Sequence, residues 1–388
     1  MSHKYFHLHK RPSSKKGKYI YYVQFYDEYG DRLTAKSTGQ TSKAAAENWS
    51  YEQLRKGLVF VNKKLTFNEY ARDWWYWDRC QYIKRKIARN KRISREYADT
   101  NRSYLDTHII PYFGKKILYK ITPNMVETWL FSLREKIGKT GKLLSATTAN
   151  CCLKTLRIMM DEAVRQEYIS VSPAIGIEPL GETPKEKNIL KIDEVRTLFR
   201  DDTIKQVWEE NLLHFTINLL AASTGMRMGE CQALRIVNVH DEYVSVVHGW
   251  SRKYGVKEPK YSSKRDIPIP RKTSNYLHSI IHTFPYQDPE ELVFFGEDRA
   301  KPVSHRSILD WLYRALENIG ISPGEREKRN VTFHSWRHFF NSYFRGKVPD
   351  PKLQAMTGHR SIQMTNHYTK FNIQDFRDVQ EIQEECFQ

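Results

Sequence analysis

No run of eighteen apolar residues occurs in the chain, so a membrane-spanning helix is not expected. The opening MSHKYFHLHKRPSSKKGK lacks the apolar stretch of a secretory signal, which leads us to expect a cytoplasmic protein. Cysteine is scarce: five residues, at positions 80, 151, 152, 231 and 386, give an odd count and no CxxC pair. That excludes a zinc ribbon or a disulfide framework and reads as reduced, mostly buried thiols. No internal repeat and no low-complexity segment is found. Acidic residues are also short, with 45 Asp+Glu against 63 Lys+Arg and a formal net charge of +18. Such an imbalance attracts a polyanion, with nucleic acid first and an anionic membrane second. At 388 residues the chain is long enough for two or three domains with cores of their own.

The pattern along the chain separates three segments. Residues 1–64 form a small basic module. KYIYYVQFYDEYGDRLTAKSTG has aromatic and β-branched residues on both sides of Glu28-Tyr29-Gly30-Asp31, which predicts two strands and a turn. A third short strand is expected near Tyr5–His9, and a helix follows, capped by Thr41 or Ser42. Lys10, Arg11, Lys15, Lys16 and Lys18 lie ahead of the first clear strand. They are either a solubilising tail or phosphate contacts beside a sheet presented to a DNA groove.

Residues 65–180 read as mostly helical. Thr66 caps a first helix, Thr122 and Pro123 open another, and Ser145 or Thr147 caps a long one. In that long helix Cys152, Leu156, Met159 or Met160, and Ala163 recur at helical spacing and are read as core. The strongly basic Arg85–Arg102 stretch reads as a connection ahead of a helix; Lys84, Arg85, Lys91 and Arg92 are candidate DNA contacts. Residues 181–187, GETPKEK, are the expected linker. Residues 188–388 make the last domain. Helices are expected over KIDEVRTLFR, NLLHFTINLLAAST and RSILDWLYRALENIG, and paired strands at EYVSVVHGW and RDIPIP with a lysine-rich loop between them.

Three places in this last domain could carry chemistry. In STGMRMGECQAL, Thr224-Gly225 breaks an apolar helix and Arg227 starts the next, with Glu230 placed to hold its guanidinium. An ordinary surface salt bridge would look the same. KEPKYSSKRDIPIP crowds Lys257, Lys260, Lys264 and Arg265 onto a hairpin turn, either a solvated tip or a flexible ammonium that reaches a leaving oxygen or a minor groove. The third is HSWRHFFNSYFRGKVPDPKLQAMTGHRSIQMTNHYTK. There His334 and Arg337 share a helix face, the Pro349–Pro351 loop interrupts the helices, and a helix from near Lys352 ends at Thr357-Gly358. His359 sits at the following turn, with Tyr368 nine residues later.

His334 and His338 have the spacing of a zinc pair, but Ser335 stands where HExxH needs glutamate, and Arg337 and Arg360 repel a cation. No metal is expected. A phosphodiester accounts for the set better. Two arginines can fork onto its non-bridging oxygens as they gain charge, and histidines add hydrogen bonds. Neighbouring cations favour a tyrosine oxyanion as nucleophile, and a lysine can protonate the leaving sugar hydroxyl.

In this order the residues resemble the tyrosine recombinases, the phage-integrase family. Arg227 stands in STGMRMGE, Lys260 on the hairpin, His334 and Arg337 in HxxR, His359 in TGHRS and Tyr368 in NHYTK, with Glu230 as the supporting acid. Lys260 lies eight residues before Pro268, a spacing that suits the family's lysine, though Lys257 and Lys264 share the turn. TGHRS departs slightly from the LGH of many relatives and keeps the histidine.

The resemblance implies a multidomain, mainly α chain. Its parts are a small α+β arm-type DNA-binding domain (1–64), a helical core-DNA-binding domain (65–180) and a mixed α/β catalytic domain (188–388) of the DNA breaking-rejoining enzyme fold. The last would end in an exchange tail, FNIQDFRDVQEIQEECFQ, with Phe371, Ile373, Phe376, Val379 and Ile382 as its apolar stripe, docked on a neighbouring protomer or on its own domain. It also implies a 3′-phosphotyrosyl intermediate on Tyr368 and no cofactor. The implied partners are double-stranded attachment sites, a homo-tetramer on DNA, and an accessory excision or DNA-bending factor. A type IB topoisomerase and a catalytically silent DNA-binding regulator are the alternatives.

Overall fold

The computed structural model describes residues 5–13, 18–26, 32–55, 65–138, 141–182, 190–259, 264–284, 288–345, 347–358 and 373–387. The chain divides into two compact units, Met1–Pro184 and Lys185–Gln388. The boundary falls within the expected linker.

The first unit contains two separate apolar clusters. The smaller belongs to an antiparallel sheet of strands Phe6–Pro12, Tyr19–Phe25 and Lys36–Ser37. Leu8 pairs with Val23 and Phe6 with Phe25, so alternation puts these four on one face. That face packs on Trp49 and Leu54 of the helix Lys43–Arg55. Ser42 caps this helix, its Oγ accepting from the Ala45 N–H at 3.2 Å. The Tyr5–His9 strand proves longer than expected. Lys10 and Arg11 therefore lie within a strand, opposite Tyr21 and Ile20, not in a tail ahead of the sheet. The turn Glu28–Asp31 and Lys15 and Lys16 lie outside the described residues.

The larger cluster joins Phe67, Trp75, Phe113, Trp129, Leu156 and Met159 across a set of helices. Thr66 forms a capping box with Glu69, Thr122 and Pro123 open Pro123–Ser132, and Ser145 caps Ala146–Arg165. The expected basic connection over Arg85–Arg102 is instead mostly helix, Gln81–Ala88 and Arg95–Tyr104, the second capped by Ser94. Ile83 and Ala98 anchor these helices in the core; with so few apolar residues among so many charges, the helical period was hard to see.

In the second unit the helix Leu212–Thr224 is the central element, buried from His214 to its end. The helices Arg271–His282 and His334–Phe344 pack against it. Strand Tyr243–Val246 pairs antiparallel with Arg265–Pro268 as expected, but the rest of EYVSVVHGW does not. Gly249–Ser251 turns back to pair with Gly255–Lys257 in a second small hairpin. The last described α-helices are Asp350–Thr357, which begins within the expected Pro349–Pro351 loop and not near Lys352, and Arg377–Phe387.

This C-terminal helix packs on its own unit. Val379, Cys386 and Phe387 are buried, and Gln383 Nε2 donates to the carbonyls of Ser223 (2.6 Å) and Pro268 (3.0 Å). Of the expected stripe, Phe376 and Val379 are buried in this cis arrangement, and Phe371 lies outside the described residues. Among the described residues no helix is long and apolar enough to cross a membrane.

Candidate active site

The site is built around a helix break. Gly225 ends Leu212–Thr224 in the left-handed conformation (φ +66°), its N–H donating to the Ala221 carbonyl at 3.0 Å. Arg227 then takes extended backbone and becomes the N-cap of Met228–Gln232. Glu230, in the first turn, reaches back to it. Its Oε2 accepts from the Arg227 backbone N–H and its Oε1 from Arg227 Nη1, both at 2.9 Å. The box is seated tightly on both sides. A Cβ added to Gly225 would lie 2.8 Å from Cδ1 of Phe340, and one on Gly229 would lie 2.7 Å from the Trp250 carbonyl oxygen. Glycine is required at both positions.

Glu230 is only 4 % exposed. Burial pushes its carboxyl upward, but the guanidinium of Arg265 and then that of Arg227 outweigh this, so its pKa is lowered and it stays ionised. Arg265 forks onto the same carboxylate, Nη2 to Oε2 at 2.8 Å and Nη1 to Oε1 at 3.3 Å, and its Nε donates to the Met356 carbonyl at 2.5 Å. The sequence reading had placed Arg265 among the cations of the hairpin tip. Its side chain is instead 8 % exposed. Strand alternation carried the signal: Arg265 shares a face with the fully buried Ile267, and Asp266, on the other face, accepts from Ser245 Oγ at 2.6 Å.

Arg337 comes from the helix His334–Phe344, which Trp336 anchors by donating from Nε1 to Asn218 Oδ1 at 2.8 Å. Arg337 is buried, and its two terminal nitrogens donate to carbonyls of two other elements, Nη1 to Gly225 at 2.9 Å and Nη2 to Thr357. Burial first, then the nearby Arg227 cation, lowers its pKa to about 9. It remains cationic at neutral pH. His334 is exposed at the start of the same helix, its ring centroid 4.8 Å from that of His338. Asp350–Thr357 ends in Gly358, again left-handed (φ +63°), and the next residue in the chain is His359.

The structure thus brings together Arg227, Glu230 and Arg337. Lys260, His359 and Tyr368 lie outside the described residues. Of the other hairpin lysines, Lys257 ends a strand and Lys264 immediately precedes one, both exposed. Two buttressed guanidiniums from separate elements suit an oxyanion with two acceptor oxygens. Because their geometry is set before any substrate arrives, they act without reorganising.

The DNA-contact candidates of the first unit divide. Lys10, Arg11, Lys18, Lys84, Lys91 and Arg92 are exposed. Arg11 lies 4.6 Å over the Tyr22 ring and donates from Nε to His9 Nε2 at 3.1 Å. Arg85 is different. It forks onto the buried Glu162, which Arg165 also holds, and Glu162 is depressed to about 2 because these partners outweigh its burial. This makes Arg85 a structural ion pair, not a free phosphate contact.

Residues 189–374 match the phage integrase family. The Escherichia coli shufflon-specific DNA recombinase is 28 % identical over 165 residues, 42 % of this chain and 35 % of the relative's length. The tyrosine recombinase XerC of Haemophilus ducreyi is 22 % identical over 258 residues, 66 % of this chain and 76 % of the relative. Among solved structures, the Tn1549 transposon integrase in complex with a circular intermediate DNA superposes with a TM-score of 0.58 at 19 % identity, covering 78 % of this chain and 98 % of that one. The chain has the multidomain integrase fold, and over residues 189–374, just under half of its length, it is similar to the phage integrase family, whose curated relatives are tyrosine recombinases.

Proposed function

We propose that this chain is a site-specific integrase that inserts or excises a mobile element through a tyrosyl–DNA intermediate. The observation that carries the reading is the pair Arg227 and Arg337, the first held by Glu230 of its own helical turn and the second by carbonyls of two other elements. The Tyr368 oxygen, its proton given up to solvent because the surrounding cations favour the oxyanion, attacks the scissile phosphorus, and the phosphorus–O5′ bond breaks as Lys260 gives a proton to the leaving oxygen. The two arginines, with His334 and His359, hold the charge that builds on the non-bridging oxygens. The product is a 3′-phosphotyrosyl link and a free 5′-hydroxyl. Attack on that link by the hydroxyl of a partner duplex restores a phosphodiester, so the bond energy is kept without a cofactor.

Four protomers on two duplex attachment sites, in the cytoplasm, complete the exchange, with an accessory excision or DNA-bending factor setting its direction. Residues 1–64 bind a second duplex site. One face of their sheet is committed to the Trp49 helix, and the other offers His7, His9, Arg11, Tyr22 and Gln24. The test uses two duplexes carrying the ends of the element that encodes the chain. An integrase joins one to the other. Relaxation of supercoils with no joined product would indicate topoisomerase chemistry, and binding with neither would indicate a regulator.

A further inference from the structure

We infer that Arg265 is a positioning residue for strand cleavage: it holds Arg227 at the scissile phosphate by locking Glu230 against the end of the helix Asp350–Thr357. The inference rests on the recombinase reading above and adds to it a residue outside the set of Arg227, Lys260, His334, Arg337, His359 and Tyr368.

Three contacts carry it. Arg265 Nη1 and Nη2 fork onto Glu230, at 3.3 and 2.8 Å. Glu230 in turn holds Arg227 by backbone and side chain, both at 2.9 Å. Arg265 Nε donates to the Met356 carbonyl at 2.5 Å. Glu230 with Arg227 alone is a pair from one helical turn, free to rock as a unit. Arg265 removes that freedom, because one planar guanidinium fixes the carboxylate and the helix end together. With side chains 8 % and 4 % exposed, the Arg265–Glu230 pair is shielded from the solvent screening that weakens surface ion pairs.

The arrangement parallels that of Arg337, which spans Gly225 and Thr357. Two struts therefore run between the Gly225–Glu230 box and the end of the helix that precedes His359. One strut is a residue with a direct role on the phosphate. Arg265 is the other, and among the described residues its guanidinium donates to Glu230 and Met356, which routes its effect through Arg227.

Lysine at this position would keep the charge and lose the fork. The experiment follows covalent adduct formation at saturating DNA on suicide duplexes carrying the element's own end. For Arg265→Lys we expect a rate lower by at least about tenfold, as a small misplacement of a reacting group does. The half-saturating DNA concentration should stay within about twofold, because many other cations hold the backbone. Replacing the scissile phosphate by a methylphosphonate removes one charged oxygen, leaving Arg227 less to stabilise; there the Arg265→Lys deficit should shrink. Sulfur at the bridging 5′ position, which leaves without needing a proton, should not shrink it.

Glu230→Gln, nearly isosteric, interrupts the same chain from its other end. It should show the same substrate dependence and add little to Arg265→Lys. A deficit equal on all three substrates and matched by lost thermal stability would overturn the inference, leaving Arg265 a structural residue. Rescue by sulfur alone would also overturn it, placing the effect on the hairpin lysine. A wild-type chain that forms no adduct on any of these duplexes fails differently: the recombinase reading goes, and this inference with it.

Discussion

Arg265 Nε and Arg337 Nη2 donate to the carbonyls of Met356 and Thr357, consecutive residues at the end of one helix. Their other nitrogens hold Glu230 and Gly225, on either side of Arg227. The catalytic centre is thus tied to the protein through backbone carbonyls and one buried carboxylate. These ties go with the burial of Glu230, Arg337 and the Arg265 side chain.

Removing the two family arginines should therefore have unequal consequences. Arg227→Ala should reduce adduct formation by at least about 10²-fold, the scale for one preorganised donor, with DNA binding and melting temperature little changed. Arg337→Ala should lose as much activity and, in addition, about 1–3 kcal/mol of stability, because the carbonyls of Gly225 and Thr357 lose buried partners. Single-turnover cleavage beside chemical denaturation separates the two. Equal stability for both variants would contradict the assigned role of Arg337 as a strut.

The glycines of the arginine box are the second test. Gly225→Ala must place a side chain at φ +66° and against the Phe340 ring. Gly229→Ala meets a backbone carbonyl, which cannot swing aside. Each should destabilise by about 1–3 kcal/mol and lower cleavage further than the stability loss explains. Either alanine variant behaving like wild type in melting and cleavage would show that the box has room the geometry denies it.

Arg85 tests the first unit. Arg85→Ala leaves Glu162 buried with Arg165 as its remaining arginine, so a loss of about 1–3 kcal/mol is expected in urea denaturation, below the 3–5 kcal/mol typical of an ion left wholly unpaired. Lys84→Ala, at an exposed position of the same helix, should leave stability unchanged and weaken DNA binding with a smaller salt slope. The opposite assignment of effects would restore Arg85 as a DNA contact.

How far the sequence led differs from place to place. Caps were legible because their chemistry is local: Thr66, Thr122 with Pro123, and Ser145 each satisfy the first N–H groups of the helix they open. The arginine box was legible as a motif, since Thr224-Gly225 marks a helix end and Glu230 falls one turn after Arg227. Arg265 was not. Three neighbouring lysines suggested a solvated tip, and only its alternation with Ile267 hinted at burial. Arg85 misled for the same reason, because its partner Glu162 is distant in sequence and a long-range ion pair leaves no periodic trace. The second hairpin, Gly249–Ser251 with Gly255–Lys257, straddled the end of the run read as one strand and the loop read after it.

The basic module gives a prediction at the level of the whole protein. Residues 1–64 carry thirteen Lys+Arg against five Asp+Glu. Deleting them should abolish complexes on long attachment DNA while residues 65–388 still cleave a short core duplex. Gel shifts across a salt series are the check, with affinity falling steeply as salt rises. A module that binds every duplex equally would be a basic anchor and would remove the support for a second specific site.

The most direct test of the account is the identity of the residue that becomes joined to DNA. Wild-type protein is incubated with a suicide duplex carrying the element's end, the adduct is isolated under denaturing conditions, and the DNA-linked peptide is sequenced by mass spectrometry. The account predicts a 3′-phosphate on Tyr368, and no adduct from Tyr368→Phe although that variant binds the duplex as wild type does. An adduct that persists in Tyr368→Phe, on Tyr343 or any other residue, would contradict it.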